Sequence, residues 1–217
     1  MYSKHQETKF HRCLICSKAP LTNISLFALL HPLPLCYECL QKFEIIDLNI
    51  AFHHYPMRIL YHYNEFFRGL LFQYKGLYDY ALKDAFLCLY RQELEQKYRN
   101  YVIVVAPSSK EDNQKRGFSP IETVAQTFSH QVFTGLYKTQ KYKQSDLSYQ
   151  ERQQVHQKIN IRDGEMLRGK KVLILDDVVT SGSTLLTCLN LVLKYAPQKV
   201  EFLVLSTKQD EEGLKFV

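Results

Sequence analysis

The chain has 217 residues, a net charge of +6 and 46% hydrophobic residues, room for one α/β domain with a small satellite but not for two full-sized domains. No apolar run approaches the roughly 20 residues needed to cross a bilayer, which excludes a membrane-spanning helix, and residues 1–12 are polar and charged with no apolar leader stretch. The expected location is therefore the cytoplasm, where disulfides are rare and six cysteines read as metal ligands, nucleophiles or core residues.

The first signal along the chain is Cys13-Leu-Ile-Cys16 followed by Cys36-Tyr-Glu-Cys39, a C-x₂-C-x₁₉-C-x₂-C pattern. Two such knuckles supply four thiolates for a tetrahedral Zn²⁺ with no open position, a structural role that folds a segment too small for its own core. His11 is an alternative ligand. Residues 1–50 are expected to form this zinc-binding subdomain, and residues 51–217 the main domain. Cys88 and Cys188 stand singly in apolar helical patterns and read as small core residues.

Residues 55–63 read as extended, and residues 65–74 as a helix. Residues 78–98 also show helical spacing, with Ala81, Leu82, Ala85, Phe86, Leu89 and Leu94 on one stripe. Tyr61, His62, Tyr63, Phe66, Phe67 and Arg68 suit either a stacking platform or a core edge. Residues 102–105 form a β-branched run expected to be a buried parallel strand, closed by Ala106-Pro107-Ser108. Pro120 opens the next helix, and a short strand is expected near residues 131–135. Strands over residues 171–175 and 200–205 complete a parallel sheet of three or four strands flanked by helices, an α/β architecture.

Between residues 138 and 162 six Lys or Arg face two acids, a net charge of +4. Lys138, Lys141, Lys143 and Arg152, with Tyr142, suit a single-stranded nucleic acid, the cations tracking the phosphates and the ring stacking on a base. They equally suit a basic lid over a phosphate site.

After the strand at residues 172–175 comes Asp176-Asp177-Val178-Val179-Thr180-Ser181-Gly182-Ser183-Thr184, then an apolar-striped helix. Strand ends in parallel sheets and helix N-termini are anion sites, Gly182 permits amides to turn inward, and the hydroxyls of Thr180, Ser181, Ser183 and Thr184 add donors. Two adjacent carboxylates repel bare phosphate, but they suit the hydroxyls of a sugar phosphate or a hydrated Mg²⁺.

This stretch resembles the phosphoribosyl pyrophosphate (PRPP) loop of type I phosphoribosyltransferases. The resemblance implies a type I phosphoribosyltransferase-like sheet, Asp176 and Asp177 on the ribose hydroxyls, residues 180–184 on the 5-phosphate, and Mg²⁺ bridging ribose and pyrophosphate.

With the four cysteines ahead of it, the chain resembles the ComF family of competence proteins, which includes GntX-like members. Tyr63, Gly69, Leu70, Tyr74, Lys75 and Gly76 resemble one family stretch, Arg116-Gly117-Phe118 its RGF motif, and Gln144, Leu147 and Arg152 another segment. Ser119-Pro120 and Val105-Ala106-Pro107-Ser108 depart from the family pattern. The resemblance implies handling of incoming single-stranded DNA in natural transformation, alongside a helicase-like ATPase of the ComFA type that would hold the protein at the inner face of the membrane. Arg116 joins the basic residues as a contact for DNA or pyrophosphate. An active transferase moving ribose 5-phosphate from PRPP to an acceptor is the other reading.

Overall fold

A computed structural model describes residues 12–18, 33–139, 158–209 and 213. Its centre is a six-stranded sheet ordered β1-β2-β8-β7-β3-β4. The strands are β1 (Ile45–Phe52), β2 (Tyr55–His62), β3 (Tyr101–Val105), β4 (Val132–Phe133), β7 (Lys171–Val179) and β8 (Lys199–Thr207). All pairings are parallel except β1 with β2, so the parallel part holds five strands, β2, β8, β7, β3 and β4, where the sequence suggests three or four. The extra members are β2, whose crossover partner lies over 130 residues on, and the two-residue β4. Separation and brevity hide both from local patterning.

Strand β7 also runs further than expected, through Asp176 and Asp177 to Val179, because β8 pairs with it through Asp176↔Val204 and Val179↔Thr207. The acid pair is therefore on a strand and not in a loop. A second, two-stranded antiparallel sheet of β5 (Leu136–Thr139) and β6 (Lys158–Ile161) has no counterpart in the sequence reading.

Alternation along β7 sends Leu173 and Leu175 to one core and Val172 and Ile174 to the other. The second core is closed by Leu185, Cys188, Leu189 and Val192 of α6 (Ser183–Leu193) and by Leu136 and Ile159 of the small ribbon. The first lies under α2 (Glu65–Gly76), α3 (Arg91–Lys97) and α5 (Pro120–Ala125), and includes Cys13, Cys36, Cys39 and Phe43, so the cysteine head shares the body's core. Strand β1 starts at Ile45 and pairs in the main sheet.

Helix α2 begins where the Asn64 side chain accepts the Phe67 amide at 2.8 Å. It buries Phe67, Leu70, Leu71 and Tyr74. Residues 78–98 are not one helix: a 3₁₀ turn over Tyr80–Asp84 and further turns precede α3. The break rotates the stripe, so Leu87 and Tyr90 are buried while Leu89 is 39% exposed. Tyr61 and Phe67 are core residues, and Tyr63 and Phe66 pack on that core, so most of the aromatic cluster is a core edge.

A short helix before Pro120 is not anticipated by the sequence reading. This is α4 (Lys110–Arg116), started by Ser109, whose hydroxyl accepts the Asp112 amide at 3.3 Å, and ended by Gly117 at φ +80°. At the outer edge, β1 breaks register between Ile45 and Leu48, with Asp47 at φ +42° and its carboxylate held by Arg58 Nε at 2.6 Å.

Candidate functional site

Near the N-terminus, α1 (Tyr37–Leu40) starts directly after Cys36 and turns Cys39 inward. The Sγ atoms of Cys13, Cys16, Cys36 and Cys39 all lie within 4.8 Å of one another, and Cys16 and Cys36 are 3.6 Å apart. That is too long for a disulfide, whose sulfurs sit about 2 Å apart. Two thiolates each ~2.3 Å from one tetrahedral ion would be ~3.8 Å apart, so the four thiols can hold a metal ion such as zinc. Burial raises the Cys13 thiol, but the backbone amides of Cys36, Cys16 and Ile15 outweigh it and bring it down to about 7. His11 lies outside the described residues.

The second site is built where β7 gives way to α6. Gly182 stands at φ +74°, in the left-handed region that glycine occupies without a Cβ clash, and it caps α6. Thr180, Ser181 and Ser183 are exposed and Thr184 is half-buried, so the hydroxyl cluster expected from sequence faces outward around the helix start. The Ser181 and Ser183 hydroxyls are 3.2 Å apart.

Asp176 and Asp177 are both half-buried. Each accepts the amide of the residue that follows it, at 2.9 Å and 3.0 Å. Burial pushes the Asp176 carboxyl up to about 6, with Lys75 and then Lys138 pulling the other way. The Lys138 named from sequence is thus brought into the field of the acid pair from β5. Lys141, Lys143 and Arg152, with Tyr142, Gln144 and Leu147, lie outside the described residues.

Lys75, at the end of α2, is ion-paired to Asp177. Burial, opposed by Asp176 and reinforced by Arg116 and Lys138, brings its ammonium down to about 8. Sequence reasoning had noted Lys75 only as part of a family stretch. Arg116 is set by the turn at Gly117, because Phe118 packs against Tyr74 and Tyr80, each with ring centroids 5.2 Å apart. The Tyr74 hydroxyl donates to the Pro120 carbonyl at 2.8 Å, which ties this turn to α2.

Lys75, Arg116 and Asp177 meet in a cleft of about 920 Å³, with Tyr63, Arg68 and Phe72 also on its walls. Arg68 and Phe72 were not singled out as ligand contacts beyond the aromatic cluster. Their signal is present in the sequence as the i, i+4, i+7 spacing of Arg68, Phe72 and Lys75 along one face of α2. No described helix is long and apolar enough to cross a membrane.

Two curated relatives are both named competence protein ComFC. The Streptococcus pneumoniae protein is 28% identical over 128 residues, covering 59% of this chain and 57% of that protein. The Bacillus subtilis protein is 26% identical over 130 residues, covering 59% of this chain and 54% of that one. The chain thus spans a little over half the length of these relatives. Among solved structures, the hypoxanthine phosphoribosyltransferase of Trypanosoma cruzi is similar at 14% identity and a TM-score of 0.37, over 61% of this chain and 71% of that one. Residues 88–215 match the model of the phosphoribosyl transferase domain, and the match takes in β3, β7, the glycine turn and α6. With more than half of its length in that match, this chain belongs to the phosphoribosyl transferase domain family, with a parallel sheet of the type I kind behind a four-cysteine cluster.

Proposed function

We propose that this is a competence-associated, phosphoribosyltransferase-like protein that binds PRPP or a related sugar phosphate at the β7–α6 junction and takes part in bringing single-stranded DNA into the cytoplasm. The observation that carries the ligand is the order of groups at that junction. Two half-buried carboxylates end the strand, a left-handed glycine turns the chain, and exposed hydroxyls ring the start of an eleven-residue helix.

A 5-phosphate suits the helix end, where unpaired amides and the positive end of the helix dipole stabilise an anion. Ribose hydroxyls suit Asp176 and Asp177, which accept but cannot donate when ionised. Lys75 holds Asp177 before the ligand arrives, and beside Arg116 it forms a positive field suited to pyrophosphate. Mg²⁺ would add the charge that couples ribose and pyrophosphate. Zinc at the four cysteines is structural in this reading, since four thiolates leave no position for a substrate.

The competence role and the ATPase partner rest on the two ComFC relatives and on the ComF resemblance. The basic stretch from Lys138 onward is the part of the chain suited to a DNA backbone. Titration calorimetry with PRPP and Mg²⁺ tests the ligand: measurable heat on the native protein, lost in Asp177→Asn, is the expected result, and no heat on either retires it. For DNA, fluorescence anisotropy should show single-strand binding that weakens with salt and with Lys141→Ala plus Lys143→Ala. Indifference to both removes the basic segment from the reading.

A second reading, an active transferase passing ribose 5-phosphate to an acceptor, is favoured by one observation. The large cleft opens beside Asp177, where a second molecule could approach the sugar. Release of pyrophosphate from PRPP on adding candidate acceptors tests it.

A further inference from the structure

The cleft beside Asp177 has walls that a pyrophosphate group would leave unused. Along the exposed stripe of α2 stand Arg68 and Gly69, then Phe72, then Lys75 and Gly76. A helix rises about 1.5 Å per residue, so Arg68 and Lys75 mark the two ends of a strip about 10 Å long with Phe72 between them.

Phe72 is 63% exposed, and its ring lies against Gly76, where a Cβ would meet ring carbon Cε2 at 3.0 Å. The lack of a side chain at Gly76 is what lets the ring rest there. Tyr63, at the far end, already has Lys208 Nζ 4.9 Å from its ring centroid, which leaves Phe72 as the open aromatic surface of the cleft.

Gly69 is a second glycine inside the same twelve-residue helix, and a Cβ built there meets nothing within 4 Å. Glycine weakens a helix interior, and here no crowding within the protein asks for it. A molecule lying close to the helix backbone does ask for it.

The charges point the same way. Neither Arg68 nor Arg116 has a carboxylate partner among the described residues. Arg116 Nη1 donates to Asn113 Oδ1 at 3.1 Å, while its Nε is buried with no hydrogen-bond partner. Glu65, the other acid on this wall, forms no ion pair with Arg68. Guanidinium forks match the oxygens of phosphate or carboxylate, and aromatic faces stack on flat rings. A cleft of about 920 Å³ is roomy enough for a ring-bearing molecule.

We propose that the α2 face of this cleft is a binding subsite for a planar aromatic molecule carrying a negative group, its ring laid over Gly69 and Phe72 and its anion on the unpaired guanidinium of Arg68, with Arg116 opposite. The inference rests on the sugar-phosphate reading in one respect only, that this second ligand would sit beside the sugar and serve as its partner. Binding to the subsite stands without that reading.

Ligand-observed NMR on the full zinc-loaded chain tests it with four probes. These are phenyl phosphate and benzoate, which join ring and anion, and phenol and inorganic phosphate, which supply one half each. The expected result is that at least one joined probe binds ten-fold or more tighter than either half, and the preferred probe tells phosphate from carboxylate. Phe72→Ala and Arg68→Gln should each weaken that probe at least five-fold. Gly69→Ala should raise the thermal midpoint yet weaken the probe at least three-fold, a pairing that a merely structural glycine does not produce.

Joined probes that bind no better than their halves overturn the proposal. So does binding that survives all three changes, or that is lost in Asp177→Asn but kept in Phe72→Ala, since the probe is then in the cradle. PRPP with Mg²⁺ is measured on the same proteins. Heat that persists in Phe72→Ala, Arg68→Gln and Gly69→Ala separates the two subsites, and absent heat with intact probe binding retires the cradle while leaving the cleft.

Discussion

The cysteine knot and the turn after β7 each gather four or more donor atoms within a short span, and they dispose of them in opposite ways. In the knot, three of the four cysteines are buried and the sulfurs converge on one point. Around the turn, three hydroxyl side chains face solvent and the nearby acids are half-buried. Donors that converge inward hold a chain together, whereas donors fanned around an opening meet something from outside. The difference separates a structural centre from a binding one more clearly than residue types do.

The largest expected effect comes from breaking the knot. Cys36→Ser should lower the metal content from one equivalent to none and cost about 4 kcal/mol or more, ~10 °C in thermal midpoint for a chain of this size. Because Cys13, Cys36 and Cys39 share a core with Phe67 and Phe86, the loss should reach the body and not only the head. Metal analysis with calorimetric melting checks both. A metal-free protein that melts like the native one would collapse the contrast.

Next comes the acid pair. Asp177→Asn should weaken PRPP at least ten-fold by calorimetry while leaving the metal content intact, which places the two centres on independent footings. Smaller again, Thr184→Ala should weaken PRPP about three- to ten-fold, the worth of one hydrogen bond of about 1 kcal/mol.

The pH response sharpens the comparison further. The Asp176 carboxyl titrates near 6 in the folded protein, above its ordinary value of 3.8. Between those values the folded state holds a proton that the unfolded chain has released, so this group favours folding at the acid end, and its contribution is lost as pH rises through 6. Ligand affinity should run the other way. If ribose hydroxyls need the ionised carboxylate, PRPP binding should fall up to about ten-fold per unit below pH 6. Calorimetry from pH 5 to 7 gives the slope, and a flat profile removes Asp176 from the contact. The smallest effect is at Lys18, whose 2.8 Å pair with Glu38 joins two well-exposed side chains beside the knot. Lys18→Ala should leave the melting midpoint unchanged to within about a degree.

Much of this was legible in the chain. Four cysteines in two pairs, and an acid pair ahead of a glycine among hydroxyls, are local patterns, and local patterns survive without coordinates. Strands β2, β3, β7 and β8 were visible as apolar runs, though β7 outlasts its run because pairing with β8, and not side-chain character, carries Asp176 and Asp177 into the strand. The β5–β6 ribbon joins residues about 20 apart across a polar segment and leaves no periodic trace. At residues 78–98 the apolar spacing was read correctly as buried surface and wrongly as one helix, because 3₁₀ turns bury a similar set at a different phase. The approach of Lys75 to Asp177 spans about 100 residues, and only the crossing of α2 near the strand ends brings it about.

The kink at Asp47 has a consequence for how molecules of this protein meet one another. A sheet edge eight residues long is a template on which another extended chain can be laid down. In β1 the left-handed Asp47 and the register break interrupt that row of amides and carbonyls, and Arg58 draws the Asp47 carboxylate back toward the sheet. The opposite rim, β4, is two residues long and offers almost nothing to copy. Neither margin invites strand-by-strand stacking, which lets the parallel sheet stay a single-molecule object at the high local concentrations reached inside cells.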